Sequence, residues 1–361
     1  MKKIISIVGA RPQFIKAAMI SRALRKNKMY KEMLLHTGQH YDDNMSDIFF
    51  RDLNIPRPDF LLQIRSKRQG EQTALMLDKI EKILIKEQPK WLLVYGDTNS
   101  TLAGALAAAK LNIPIAHIES GLRSFNNEMP EEVNRKITDH LSTVLFCPTQ
   151  IAMENAMKEG ISTDKLFLVG DVTYDAALYA QKYDEKNNIL VKLNLKKKSY
   201  ILVTIHRIEN TDDTRRLKKL MLSLKKIANN YKVLFPIHPR TRLAIEKSSC
   251  LSSMASVFKL IEPVGYLEMS ALERGARLII TDSGGVQKEA YFYQIPCIIV
   301  RDQTEWPELL NTGNSILCPS KDFATLPSLG DEFIDKCGNY LELYGSGNAA
   351  TKIVKYLYNF S

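Results

Sequence analysis

The 361-residue chain has no apolar run long enough to cross a bilayer, so no membrane-spanning helix is expected. Its five cysteines, Cys147, Cys250, Cys297, Cys318 and Cys337, are widely spaced and odd in number, without a CxxC or zinc spacing. Reduced, mostly structural thiols follow. The start, Met-Lys-Lys-Ile-Ile-Ser-Ile-Val-Gly, lacks a small-residue cleavage site and reads as a first buried strand; a cytoplasmic protein is expected. No repeat, low-complexity tract, Ser/His/Asp nucleophile pattern or metal-ligand cluster is present. Interleaved aromatics are missing from the basic stretches behind the net charge of +10, which include Lys196-Lys197-Lys198 and Arg215-Arg216-Leu217-Lys218-Lys219. A single-strand nucleic-acid binder is therefore not expected. The second stretch falls on a helical pattern with Leu217, Leu220, Met221, Leu224 and Ile227 on its apolar side, which marks a solvated helix face whose field would favour an anionic small molecule.

What is present is a recurrent strand ending. Ile4–Val8 runs into Gly9-Ala10-Arg11-Pro12, Leu92–Tyr95 into Gly96-Asp97-Thr98, and Ile113–Ile118 into Glu119-Ser120-Gly121. Ile201–Ile205 runs into His206-Arg207, Val233–Ile237 into His238-Pro239-Arg240, Leu278–Thr281 into Asp282-Ser283-Gly284-Gly285, and Cys297–Val300 into Arg301-Asp302. Open parallel sheets bind ligands beyond the carboxyl ends of their strands. Strand–helix alternation in both halves predicts an α/β chain with two doubly wound parallel sheets. The domains are expected at 1–181 and 199–347. The polar stretch 182–198 is read as a linker, and 348–361 as an amphipathic helix.

Asp282–Glu289 follows a strand and opens a helix. Its glycines admit a ligand to the backbone, and free N–H groups with the helix dipole suit a phosphate at Ser283, Gly284 and Gly285. Glu289, one turn on, is placed to accept ribose hydroxyls. Gly9–Lys16 is a second such turn, neither Walker A nor GxGxxG, whose Arg11 and Lys16 suit a diphosphate; Arg301 has a similar claim. Acid–base candidates are Asp97, Glu119, Glu131, His206 and His238, whereas His36, His40, His117 and His140 are read as structural. Carboxylates and a His beside a diphosphate site suggest proton transfer at a sugar carbon.

Taken in order, these motifs, with Pro130-Glu131-Glu132-Val133-Asn134-Arg135, Arg301-Asp302…Thr304-Glu305 and Tyr344-Gly345-Ser346-Gly347-Asn348, resemble the non-hydrolysing UDP-N-acetylglucosamine 2-epimerases over essentially the whole chain. The resemblance implies a GT-B type fold: two Rossmann-like domains, the site in the cleft, and the C-terminal helix packed back on the first domain. It implies inversion at C2 of a UDP-2-acetamido sugar through a 2-acetamidoglycal, with no cofactor and no metal. Asp97, Glu119, Glu131 and His206 match the catalytic positions; Arg11, Lys16, Ser283, Gly284, Gly285 and Glu289 match UDP contacts, and His238 and Arg301 are added as binding residues. A homodimer is a family-level expectation.

Ala10, Gln13 and Ile208 depart from the parent pattern, and so do Tyr41-Asp42-Asp43 after Gln39-His40, which counts against an activating second substrate site. Gly-Ala-Arg-Pro-Gln-Phe-Ile-Lys, Ser124-Phe125-Asn126, Val264-Gly265-Tyr266-Leu267-Glu268-Met269 and Arg301-Asp302-Gln303-Thr304-Glu305-Trp306 look more like a branch acting on UDP-2,3-diacetamido-2,3-dideoxy-glucuronate for bacterial surface polysaccharides such as lipopolysaccharide O-antigen. Arg65, Lys67 and Arg68 are candidates to meet that substrate's extra carboxylate. The competing readings are a hydrolysing epimerase, a GT-B glycosyltransferase and a catalytically silent UDP-sugar sensor.

Overall fold

The computed structural model describes residues 1–26, 29–39, 52–64, 66, 68–182, 189–248, 257–336 and 338–359. The chain forms two compact units, Met1–Leu178 with Glu342–Ser361, and Tyr179–Leu341.

The first unit carries a seven-stranded parallel sheet in the order β3-β2-β1-β4-β5-β6-β7. The strands are β1 (Lys2–Val8), β2 (Tyr30–His36), β3 (Phe60–Leu61), β4 (Trp91–Tyr95), β5 (Ile115–Ile118), β6 (Val144–Cys147) and β7 (Leu166–Leu168). β1 reads as a continuous apolar run because helices cover both its faces; Ile4, Ile5, Ile7 and Val8 are fully buried. The helix Asn99–Lys110 is rich in alanine because it lies close on the sheet: a Cβ at Gly104 would stand 2.6 Å from Ile7 Cδ1. Its N-cap is Thr98, whose hydroxyl accepts the Thr101 N–H. After Leu341 the chain returns to this unit, where the helix Ala349–Asn359 lies on the helix Arg11–Lys26. Tyr30 Oη donates to Leu357 O at 2.8 Å, and Asp175 accepts the N–H groups of Ala349 and Ala350 at 3.0 and 2.8 Å.

The second unit repeats the plan with a six-stranded parallel sheet, β10-β9-β8-β11-β12-β13. Its strands are β8 (Ile201–Thr204), β9 (Val233–Pro236), β10 (Lys259–Ile261), β11 (Leu278–Thr281), β12 (Cys297–Ile299) and β13 (Ser315–Leu317). The helix Thr214–Ala228 is capped by Asp213, buries Leu217, Leu220, Met221, Leu224 and Ile227, and leaves Lys218, Lys219 and Lys226 exposed.

Each sheet therefore has the Rossmann order, which reverses direction between its first and fourth strands. Loops leaving those two strands part to opposite faces and open a crevice. In the first unit they are Gly9–Arg11 and Gly96–Thr98, and in the second Ile205–Arg207 and Asp282–Ser283. The topology thus selects, from the strand endings in the sequence, the ones that flank a switch point.

Some elements differ from the sequence reading. β3, β13 and the helix Leu326–Phe333 were not expected; β3 spans only two residues, too few for a period to register. The polar stretch 182–198 contains the helical turn Ile189–Lys192 and buries Ile189, Leu190 and Leu195. The helix expected around Met45–Asp52 lies, but for Asp52, outside the described residues. Cys147, Cys297 and Cys318 are free and buried, and burial pushes the Cys147 thiol up to about 12 and Cys318 to about 11. They are packing residues, not nucleophiles; Cys250 and Cys337 lie outside the described residues.

Candidate active site

Of the residues singled out from the sequence, Arg11, Lys16, Asp97, Glu119 and Glu131 belong to the first unit. Gly9 ends β1 where only a glycine fits, because a Cβ there would collide with the Thr37 and Ser100 hydroxyls. Gln13 ties the β1 and β4 turns together. Its Oε1 accepts the N–H groups of Gly9 and Ala10 at 2.7 and 3.0 Å, while its Nε2 donates to Tyr95 O at 2.8 Å and lies 2.9 Å from the Thr98 and Thr101 hydroxyls. A carboxylate could not donate to the Tyr95 carbonyl, so glutamine is suited to this position.

Arg11 is half-buried in the first turn of its helix. Lys16 is buried and its ammonium forms an ion pair with the Glu119 carboxylate, next to Gly96. Glu119 has φ +65°, in the left-handed region. A non-glycine residue there costs roughly 1–3 kcal/mol and persists where surrounding contacts enforce it. Asp97, at the β4 end, pairs with Arg135 of the helix Pro130–Leu141, and Arg135 also holds Glu132 at 2.6 Å. Glu131 is half-buried in the first turn of that helix, one turn before Arg135. The structure thus brings Lys16 and Glu119 together, and gives Asp97 its own cation. The base of the β2 turn is His36, whose Nδ1 accepts the Gly38 N–H at 2.8 Å; burial lowers its pKa to about 4 and keeps it neutral.

Behind these turns lies a network built on His117, read from the sequence as structural. His117 is fully buried, with Nδ1 2.7 Å from Asp139 Oδ1 and Nε2 2.8 Å from the Gly96 carbonyl. Asp139 Oδ2 accepts the Gly121 N–H at 3.1 Å and Arg123 Nη1 at 2.7 Å, and Arg123 grips Glu159 through both Nε and Nη2. Burial alone would raise the Asp139 carboxyl, but His117 and Arg123 outweigh it and hold the group below the usual Asp range. The helix Pro130–Leu141 buries Glu132, Asn134, Arg135, Thr138 and Asp139 and exposes Val133 and Ile137. A helix whose polar face is the inner one was the available signal, visible only if the apolar stripe is not assumed to face the core.

The second unit holds His206, His238, Ser283, Gly284, Gly285, Glu289 and Arg301. Asp282 is fully buried and organises the switch point. Its carboxylate accepts the N–H groups of His206 and Arg207 and the Asn210 amide, and lies 3.5 Å from His206 Nδ1. The His206 and His238 rings sit 5.5 Å apart. Nδ1 of His238 caps its own helix by accepting the Arg240 N–H. Ser283 caps the helix Gly284–Phe292 by accepting the Val286 N–H, and a helix start of this kind favours an anion. A Cβ at Gly284 would lie 3.7 Å from Arg207 Nη2 and from Trp306 Nε1, so Arg207, not singled out from the sequence, stands at this helix start. Arg301 is buried and bidentate on Glu305 at 2.7 and 3.0 Å. Burial opposes ionisation of Glu305, yet Arg301 brings its pKa down to about 2. The guanidinium of Arg301 is thus held by a carboxylate of its own. Glu289 is buried in the same helix, beside Tyr266 and Glu273. Among the described residues no group of His, Cys, Asp and Glu is arranged to hold a metal ion.

Known proteins are similar to this chain in sequence and fold. The family model described as UDP-N-acetylglucosamine 2-epimerase matches residues 22–358. A UDP-N-acetylglucosamine 2-epimerase homolog of Methanococcus maripaludis is 51% identical, covering 99% of each chain. The UDP-2,3-diacetamido-2,3-dideoxy-D-glucuronate 2-epimerase of Pseudomonas aeruginosa is 47% identical over 98% of this chain and 99% of its own. The crystal structure of the Methanocaldococcus jannaschii UDP-GlcNAc 2-epimerase with UDP-GlcNAc and UDP matches with a TM-score of 0.92 at 44% identity, covering 99% of both chains. By sequence, fold and the order of its motifs, this chain belongs to the UDP-N-acetylglucosamine 2-epimerase family and is a UDP-sugar isomerase of the non-hydrolysing type.

Proposed function

We propose that this UDP-sugar 2-epimerase acts on UDP-2,3-diacetamido-2,3-dideoxy-glucuronate, converting the gluco to the manno isomer. A base takes the C2 proton and the C1–O bond to UDP breaks, leaving a 2-acetamidoglycal and UDP. UDP then re-adds at C1 as a proton is delivered to the opposite face of C2. The observation that carries the chemistry is the placement of Asp97 and Glu119 at the ends of neighbouring strands β4 and β5, each against a cation. Those two, with Glu131 and His206, are assigned to proton transfer. Arg11, Lys16, His238, Ser283, Gly284, Gly285, Glu289 and Arg301 are assigned to binding UDP, whose departure is helped by cations and helix N–H groups aimed at the developing charge. The substrate assignment rests on the motif variants and on the 47% identical Pseudomonas relative. Arg68, the described member of the Arg65, Lys67 and Arg68 cluster, is exposed and pairs with Glu71 at 3.0 Å; Arg65 and Lys67 lie outside the described residues.

A second reading, UDP-N-acetylglucosamine to UDP-N-acetylmannosamine, is favoured by the 44% identical Methanococcus maripaludis enzyme bearing that name. Proton NMR in D2O with each UDP-sugar, without added cofactor, separates the two. The expected result is deuterium at C2 and the manno isomer from the diacetamido-glucuronate, with slower or no exchange from UDP-N-acetylglucosamine. Faster turnover of the latter rejects the substrate assignment, and binding of both without exchange leaves only a sensor. The reading includes a cytoplasmic homodimer supplying surface-polysaccharide precursors, paired through the exposed apolar side chains Leu75, Val133 and Ile137. Sedimentation at the 41.1 kDa of one chain would reject the pairing.

A further inference from the structure

We infer that His117 is a buried imidazolium and a positioning residue, clamped between Asp139 and the Gly96 carbonyl so as to fix the turn that presents Asp97. The argument is donor arithmetic. A neutral imidazole offers one N–H and one acceptor nitrogen. Here Nδ1 faces a carboxylate oxygen at 2.7 Å and Nε2 faces a carbonyl oxygen at 2.8 Å. Neither partner donates. A ring with a single proton would press a lone pair against an oxygen in a fully buried place, so both nitrogens carry protons. A proton on Asp139 instead would have to sit on Oδ1, since Oδ2 already receives the Gly121 N–H and Arg123. That is the same proton within the same hydrogen bond, and the net charge is unchanged.

The ion pairs run outward from the ring toward the surface. His117 and Arg123 supply two positive charges, Asp139 and Glu159 two negative ones. Glu159, the outermost member, is partly exposed and lies 3.6 Å from His140 Nε2, so it is the donor count at the fully buried ring that requires the second proton. The other ionisable neighbours include Cys147, behind Ser120, Lys16 with Glu119, beside Gly96, and His140 and Lys136, both near Glu159.

The consequence for function rests on the reading of Asp97 and Glu119 as proton-transfer groups. Gly96 has φ +60°, and its carbonyl belongs to the peptide that enters Asp97. His117 holds that carbonyl, while the same Asp139 holds the Gly121 N–H two residues after Glu119. One carboxylate thereby anchors the turns after β4 and β5 from behind, and such anchoring shells typically carry 10–100-fold in activity, on the order seen around metal ligands.

The test has two arms. In the first, long-range 1H–15N spectra of the 15N-histidine-labelled wild type are followed from pH 6 to 9. One histidine, missing in His117→Asn, is expected to keep the signature of two protonated nitrogens throughout. A single-proton pattern for His117 at pH 7 overturns the inference, and this arm does not depend on which residues do the chemistry. In the second, Asp139→Asn removes the counter-anion. Turnover at pH 8 is expected to fall about 100-fold, to recover toward pH 6 as the ring is reprotonated, and to leave KM for the UDP-sugar within about threefold. An equal loss at every pH in a folded Asp139→Asn protein reduces His117 to a packing residue. Asp97→Asn is run beside it: unchanged turnover there defeats the reading of Asp97 while the spectra still decide His117. If Asp139→Asn does not fold, the wild-type spectra remain decisive.

Discussion

Glu119→Gln is expected to lower turnover by about 10³-fold, within the range for loss of a general acid or base, while UDP still binds. The substitution keeps the shape and removes only the capacity to take or give the proton. It also has a structural effect that must be separated. The Lys16 ammonium is buried against this carboxylate, and removing one partner of a buried ion pair costs about 3 kcal/mol through the charge left behind. The double variant Glu119→Gln, Lys16→Met replaces the pair by neutral groups of similar length. It should regain most of the lost thermal stability, which measures the share of the effect that belongs to the broken ion pair; turnover is compared only between wild type and Glu119→Gln, because Lys16 is itself assigned to UDP. Solvent deuterium exchange at C2 is the appropriate readout, because it reports proton transfer even when product release is slow. A Glu119→Gln enzyme exchanging within tenfold of wild type would remove Glu119 from the reaction and leave it as the partner of Lys16.

Gly121→Ala should be among the most destabilising single-methyl additions in the chain, by more than about 4 kcal/mol. Gly121 has φ +77°, and an added Cβ would fall inside the contact radius of the Ala152 carbonyl oxygen and 2.8 Å from its carbon. Both obstacles are backbone, fixed in the helix Gln150–Lys158, whose Asn155 amide also donates to Gly121 O at 3.2 Å. No rotamer change can relieve the collision. Gly160→Ala is the control. It has φ +84° but open space around it, so only the backbone strain is felt, about 1 kcal/mol. Denaturant midpoints of the two variants should differ by several-fold in their shift. Comparable shifts would mean that the left-handed backbone, not the contact with Ala152, is what requires glycine at 121.

Much of the architecture was written in periodicity. Apolar runs such as Ile4–Val8 and Leu278–Thr281 are strands buried on both faces, and the residues that end them lie in loops at the carboxyl edges of the sheets. That pattern is local, so a linear reading finds it. The helix Pro130–Leu141 shows where the same logic inverts: its apolar Val133 and Ile137 face outward, and its inner face carries Glu132, Arg135 and Asp139. Period alone reports that a helix has two faces and not which one is buried.

The sequence by itself determined two Rossmann-type halves, the turns at which charged and glycine residues gather, and the family. It also singled out Asp97, Glu119, His206 and the Ser283–Gly285 turn, because strand endings and helix starts are properties of neighbouring residues. Only the tertiary structure decided what each charge faces. Lys16 meets Glu119, 103 positions away, and His117 meets Asp139 and the Gly96 carbonyl. Arg301 is claimed by Glu305 only four positions on, yet through a turn that no helical period describes. Pairing energy depends on distance and burial, and both are set by how the strands are ordered in the sheet rather than by order along the chain.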